Sequence, residues 1–177
     1  MDSKKCSIMD SKRKIKGQLL YNLLVNSPYR DYIIGMDQKI KIDGVTYWHP
    51  RLSNISKKAK IGEGTVIHAG VHIHDEVIIG KRCQIQAGVM LFNGATLEDD
   101  VFMGPDSKIA NDAKLEDRDV WTAVPTLVKR GAKIGMGALI NAGLTIGEYS
   151  KVGMGAVVLQ NIPDRETWVG VPARKVG

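Results

Sequence analysis

The sequence predicts an all-β solenoid, a parallel β-helix of about five to six coils behind a short helix and hairpin. Three observations carry this. Aliphatic residues recur at every sixth position, from Ile55 through Ile61, Ile67, Ile73, Ile79, Ile85, Leu91, Leu97 and Met103 to Ile109. The beat resumes from Val128 through Ile134, Ile140, Ile146 and Val152 to Val158. No helix or ordinary hairpin keeps that period, and a fixed repeat means that each unit buries its apolar side against its neighbours. The fifth position of each unit is also small or aliphatic, as at Thr65, Val71, Cys83, Ala113, Ala132 and Ala156. Two inward residues separated by one outward residue describe a very short strand. Finally, 14 of the 19 glycines occupy the second and fourth positions, where the chain turns a corner and glycine tolerates positive φ. Three units close a triangular coil of eighteen residues.

In chain order, residues 1–16 carry Lys4, Lys5, Lys12, Arg13, Lys14 and Lys16 against Asp2 and Asp10, so most of the net charge of +6 sits in this leader. Such a run reads as a solvated tail and not as a nucleic-acid or membrane contact. Gly17 to Asn26 suits a short amphipathic helix that Pro28 ends. Its apolar part, Leu19–Val25, is short and broken by Asn22, so neither a membrane span nor a signal peptide is expected, and a cytoplasmic location is. Cys6 and Cys83 make no disulfide or metal framework by themselves, which fits a reducing compartment. Lys39–Ile42 and Val45–Tyr47 alternate around Asp43-Gly44 like a hairpin. Residues 1–46 thus read as an appendage, 47–163 as the β-helix and 164–177 as a tail.

Between Ile109 and Val128 the beat fails for nineteen residues. That interval accommodates a full coil with one insertion, or a single unit followed by an extruded loop at about 113–127. The polar run Leu115-Glu116-Asp117-Arg118-Asp119 favours the loop, and loops on rigid scaffolds carry function. Asp75, Asn93 and Asn111 are each eighteen residues apart, so they stack in one column at one corner. Asn and Asp there also suit plain turn chemistry. Asn111 and Asp112 stand at the lip of the loop.

The Ile-Gly corners and the ending Val169-Gly170-Val171-Pro172-Ala173-Arg174-Lys175 resemble the hexapeptide-repeat acyltransferases, across residues 48–177. A narrower likeness lies in Thr126-Leu127-Val128-Lys129-Arg130-Gly131-Ala132-Lys133-Ile134-Gly135, with Gly104-Pro105 and Asn111-Asp112 before it. It is similar to N-acetyltransferases that modify amino sugars carried on UDP, dTDP or GDP, of the 3-amino type, for surface polysaccharides. The resemblance implies a left-handed coil, a homotrimer with sites between subunits, acetyl-CoA as acyl donor and a nucleotide-sugar acceptor.

It also implies roles. Asn111 and Asp112 would orient the amine, and Asn93, His74 and Asp75 would line the acceptor pocket. His72 is the candidate base, the departing thiolate being the alternative proton acceptor. A backbone N–H near Asn141, Ala142 and Gly143 would serve the oxyanion. Lys129, Arg130, Lys151, Arg174 and Lys175 would meet the phosphates of CoA. No metal is expected, because His68 and His74 point from different corners. Two other readings stay open: a same-fold acyltransferase with another small hydroxyl or amine acceptor, and a non-catalytic scaffold module.

Overall fold

A computed structural model describes residues 39–113 and 122–177. The leader, the expected helix and the Leu115–Asp119 run lie outside the described residues. Lys39–Gly177 forms one compact unit.

The six-residue beat produces three flat faces, each a parallel sheet running up the stack. The first face holds β2 (Val45–Trp48), β5 (Val66–Ile67), β8 (Gln84–Ile85), β11 (Phe102–Met103), β14 (Lys133–Ile134), β17 (Lys151–Val152) and β19 (Thr167–Val169). The second holds β3 (Asn54–Ile55), β6 (His72–Ile73), β9 (Met90–Leu91), β12 (Lys108–Ile109), β15 (Leu139–Ile140) and β18 (Val157–Val158). The third holds β4 (Lys60–Ile61), β7 (Ile78–Ile79), β10 (Ala95–Leu97), β13 (Thr126–Val128) and β16 (Thr145–Ile146), extended by a bridge from Ile146 to Ile162. The result is a parallel solenoid of about six turns that matches a left-handed β-helix.

Each first-position residue points inward. Ile67, Ile85, Leu91, Met103, Ile109 and Ile134 are among those wholly buried, each contributing about 1.5–3 kcal/mol of apolar burial. Three of the buried hydroxyls are bonded to nearby carbonyls. Thr65 Oγ1 donates to Gly80 O at 2.9 Å, Ser107 Oγ to Gly104 O at 2.7 Å and Ser150 Oγ to Gly147 O at 2.8 Å.

The hairpin forms as read: β1 (Lys39–Ile42) pairs antiparallel with β2. Its second strand does more than the pattern suggests, because β2 pairs in parallel with β5 and so makes the first rung of the first face. At the other end β20 (Arg174–Val176) folds back antiparallel on β19. Trp168 is buried beneath this tail, its Nε1–H donating to Glu166 at 2.8 Å.

The break in the beat is a loop and not an extra coil. Ile109 lies on the second face and Val128 on the third, opposite Leu97, so the chain advances by one face in the usual order. The excursion closes where Val124 N–H donates to Asn111 O at 2.9 Å. Two sequence expectations change here. Ala113 is exposed, because the chain has already left the coil, and Thr126 takes the inward place instead. The loop also ends earlier than about 127, since Thr126 and Leu127 already pair with Ala95 and Thr96.

Candidate active site

The corner between the second and third faces gathers most of the residues the sequence singled out. Parallel register stacks Asp75, Asn93 and Asn111 on successive coils, since Ile73, Leu91 and Ile109 are paired across β6, β9 and β12. Neighbouring rungs lie about 4.8 Å apart. On the next coil Ile140 pairs with Ile109, which brings Asn141, Ala142 and Gly143 to the same corner. Thus Asn111 and Asp112 stand between Asn93 on one side and Asn141 on the other, at the root of the loop. The Asn111 side chain has no hydrogen bond among the described residues.

The N-terminal part of this corner is a recess of about 340 Å³ lined by Asn54, Ser56, Ile73, His74, Asp75 and Asn93. Asp75 is not free within it. Lys58 Nζ donates to Asp75 Oδ2 at 2.8 Å and Ser56 Oγ donates to Oδ1 at 2.6 Å. These two bonds, the lysine's first, hold the Asp75 carboxyl below its usual range. His74 packs against Phe92 in a tilted arrangement, with ring centroids 4.5 Å apart and planes at 36°.

His72 is placed differently from His74. It lies on strand β6 with its side chain on the outside of the second face, between Asn54 and Met90 in register, and not at the corner. His68 is at the corner between the first and second faces, stacked on Trp48 with centroids 6.3 Å apart. Burial pushes its pKa down.

The oxyanion expectation narrows. Gly143 N–H donates to Thr126 Oγ1 at 3.0 Å and Asn141 N–H to Val158 O at 3.0 Å. Ala142 N–H is the one of the three without a partner among the described residues, although the Ala142 side chain itself is buried.

The cationic residues do not share this corner. Lys129 and Arg130 follow β13 at the corner between the third and first faces, where Lys129 Nζ lies 3.5 Å from Asp164 and Arg130 N–H donates to Glu98 at 2.8 Å. Lys175 Nζ is 2.7 Å from Glu166, and one Arg174 N–H donates to Ala173 O. Lys151 is exposed on the first face, in register with Lys133 one rung away, and neither has an ion pair among the described residues. The first face is opposite the corner that holds Asn111.

Sequence reasoning passed over Phe92, Asn54, Ser56, Lys58 and Lys133. The signal for two of them was present: Phe92 stands eighteen residues after His74, and Lys133 eighteen before Lys151.

Among known proteins, the model for the bacterial transferase hexapeptide family (six repeats) matches residues 58–93. The dTDP-3-amino-3,6-dideoxy-α-D-galactopyranose 3-N-acetyltransferase of Aneurinibacillus thermoaerophilus is 52% identical over 52 residues, covering 29% of this chain and 27% of that protein. A serine acetyltransferase of Bacillus subtilis is 47% identical over 49 residues, covering 28% of this chain and 23% of the other. The chain therefore spans about a quarter of the length of these relatives. Among solved structures, a histidine-to-asparagine mutant of perosamine N-acetyltransferase of Caulobacter crescentus, in complex with CoA and GDP-perosamine, superposes with a TM-score of 0.61 at 30% identity, covering 71% of this chain and 54% of that one. The N-acyltransferase AntD of Bacillus cereus, with dTDP and 3-hydroxybutyryl-CoA, shares the fold at a TM-score of 0.66 and 20% identity, covering 85% and 87%. The chain thus carries the bacterial transferase hexapeptide repeat on a parallel β-helix of the kind seen in nucleotide-sugar N-acetyltransferases.

Proposed function

We propose that the protein is an acetyl-CoA-dependent N-acetyltransferase of a nucleotide-linked amino sugar, of the kind used for surface polysaccharides. The observation that carries this is the Asn111 amide at the loop root, without a hydrogen bond among the described residues, one rung from Asn93 and beside the polar recess. The sequence likeness to a dTDP-3-amino-sugar 3-N-acetyltransferase and the structural likeness to an enzyme bound to CoA and GDP-perosamine support it.

In the proposed reaction the sugar amine attacks the thioester carbonyl. A C–N bond forms, the C–S bond breaks and one amine proton is released. Asn111 and Asp112 accept hydrogen bonds from the amine and aim its lone pair, which is a positioning effect. Ala142 N–H is the donor available to the oxyanion. The departing CoA thiolate takes the proton, because His72 sits on the second face and away from the loop root. Lys151 and Lys133 offer two uncommitted charges to the CoA phosphates.

Those lysines and Asn111 lie on opposite sides of the triangular coil. One chain by itself does not bring donor and acceptor together; packing the Asn111 corner of one copy against the first face of another would. This supports a homotrimer with sites between subunits. A cytoplasmic location belongs to the same proposal. Among the described residues no helix is long and apolar enough to cross a membrane.

The likeness to serine acetyltransferases favours one rival, a hydroxyl acceptor on the same scaffold. Incubation with acetyl-CoA and a thiol reagent, across UDP-, dTDP- and GDP-linked amino sugars and serine, separates them. CoA release with an amino sugar is expected. Release with serine alone would replace the acceptor, and no release together with no CoA binding by calorimetry would sink the enzyme reading.

A further inference from the structure

The return leg of the loop, Ala123 to Thr126, is wedged between two corner glycines. On one side a Cβ on Gly94 would lie 3.3 Å from Pro125 Cα and 3.5 Å from Ala123 Cβ. On the other, a Cβ on Gly143 would lie 2.9 Å from Val124 Cγ1. Both glycines stand between the second and third faces, with φ of +85° and +79°. Val124 thus fills the space outside Gly143 that a side chain there would take. Three bonds hold the leg. Val124 N–H donates to Asn111 O at 2.9 Å, Thr126 N–H donates to Gly94 O at 3.2 Å, and Thr126 Oγ1 accepts from Gly143 N–H at 3.0 Å. Pro125, between Val124 and Thr126, has its φ fixed by its ring.

Val124 touches both halves of the proposed chemistry. Its N–H is bonded to Asn111, which aims the amine, and its side chain lies on Gly143, next in sequence to the Ala142 N–H offered to the oxyanion. Among the described residues from Asn111 to Thr126 it is the one branched aliphatic side chain. It is half-buried, so part of its surface stays open to a ligand. A wall tied down on both sides does not swing aside for a longer group, and that is the condition under which one methylene becomes costly.

We infer, on the acetyl-transfer reading above, that Val124 determines which acyl group is transferred: its side chain closes the space beyond the acetyl methyl, so a longer acyl chain cannot bring its carbonyl between Asn111 and Ala142. In that arrangement the thioester oxygen faces Ala142 N–H and the methyl faces Val124. At the carbon between them the C–S bond to CoA breaks and the C–N bond to the sugar forms, as above. Val124 reads the donor and not the acceptor.

A donor series tests it. The full chain is assayed with acetyl-, propionyl- and butyryl-CoA against the nucleotide-linked amino sugar that the wild type acetylates, and kcat/KM values are compared within each variant, so a general loss of activity cancels. The wild type should favour acetyl-CoA over propionyl-CoA by about tenfold or more, the size of effect that one methylene commands in an apolar site. Val124→Ala should raise the propionyl-to-acetyl ratio by about tenfold or more, with the acceptor KM unmoved. Val124→Thr keeps the shape and should keep the wild-type ratio, while Val124→Ile should lower it. Equal use of the two donors by the wild type, or a Val124→Ala ratio within about twofold of wild type, would overturn the assignment and leave the transferase reading intact. If circular dichroism shows that Val124→Ala does not fold, the other two variants decide: any order but an unchanged ratio in Thr and a lower one in Ile overturns it. CoA release by the wild type from none of the donors would remove the transferase reading, and the assignment with it.

Discussion

At the scale of single residues, the chemistry turns on which polar groups are already committed. Asn111 and Asp75 occupy the same column, yet Asp75 is bonded to Lys58 and Ser56 while the Asn111 amide has no partner among the described residues. Asn111→Ala should therefore lower kcat/KM by roughly a hundredfold or more, with circular dichroism and oligomeric state unchanged. His72→Ala should cost less than about tenfold, because the proposed proton acceptor is the thiolate. Near-native rates for the first variant would remove Asn111 from the site. The Arg82–Asp100 ion pair at the corner between the third and first faces makes a separate prediction. The Arg82 guanidinium, bonded to Asp100 at 2.7 Å, holds that carboxyl below its ordinary 3.8. A depressed folded pKa adds stability that is present above the ordinary value and is lost as pH falls through the folded one. Asp100→Asn should thus lower the urea midpoint at pH 7, and its difference from wild type should shrink as the pH falls through and below the ordinary carboxylate range; a difference that does not shrink in acid would mean that the effect is not ionic.

Among the elements, corners and loop obey different constraints. Where coils stack, a methyl group has no room: a Cβ on Gly104 would lie 2.7 Å from Met136 N and 2.8 Å from Ile134 O. At Gly137 nothing lies within 4 Å, and only its φ of +67° opposes a side chain. Gly104→Ala should lower Tm more than Gly137→Ala, with about 1–3 kcal/mol of overpacking in the first case. Equal losses would show that the stack relaxes freely. Thr126→Val should be costly for another reason, since it orphans the Gly143 N–H, at about 1–3 kcal/mol.

The period made the inward residues legible from Ile55 onward, and the column arithmetic placed Asp75, Asn93 and Asn111 together. It failed where it was interrupted. The nineteen-residue step from Ile109 to Val128 does not say which residue re-enters the core; the inward place falls to Thr126, whose Oγ1 accepts from Gly143 N–H, and not to Ala113. Nor did apolar spacing show that Asn141 and Gly143 N–H groups were spent. Backbone bonds leave no trace in side-chain pattern.

For the whole molecule, the separation of Lys133 and Lys151 from Asn111 across the triangle makes a prediction about assembly. Chains carrying Asn111→Ala and chains carrying Lys133→Glu with Lys151→Glu should each be inactive, yet co-refolded equal mixtures should recover about a quarter of wild-type activity if each trimer interface draws one residue set from each neighbour. No recovery would place both sets in one chain. Light scattering on the wild type checks the trimer directly.

The antiparallel strands at the two ends of the first face have a consequence of another kind. A stack of parallel rungs is the geometry of a fibril, and each bare end offers unpaired backbone groups to the next molecule. Here β1 and β20 cover both ends of the first face, and they bring Lys39, Lys41, Arg174 and Lys175 to its rim. An arriving coil would need to pair in parallel on all three faces at once, and on this one it meets a reversed, positively charged strand. The same short hairpins that begin and finish the solenoid therefore act as polymerisation stops, keeping a self-templating architecture at a finite length.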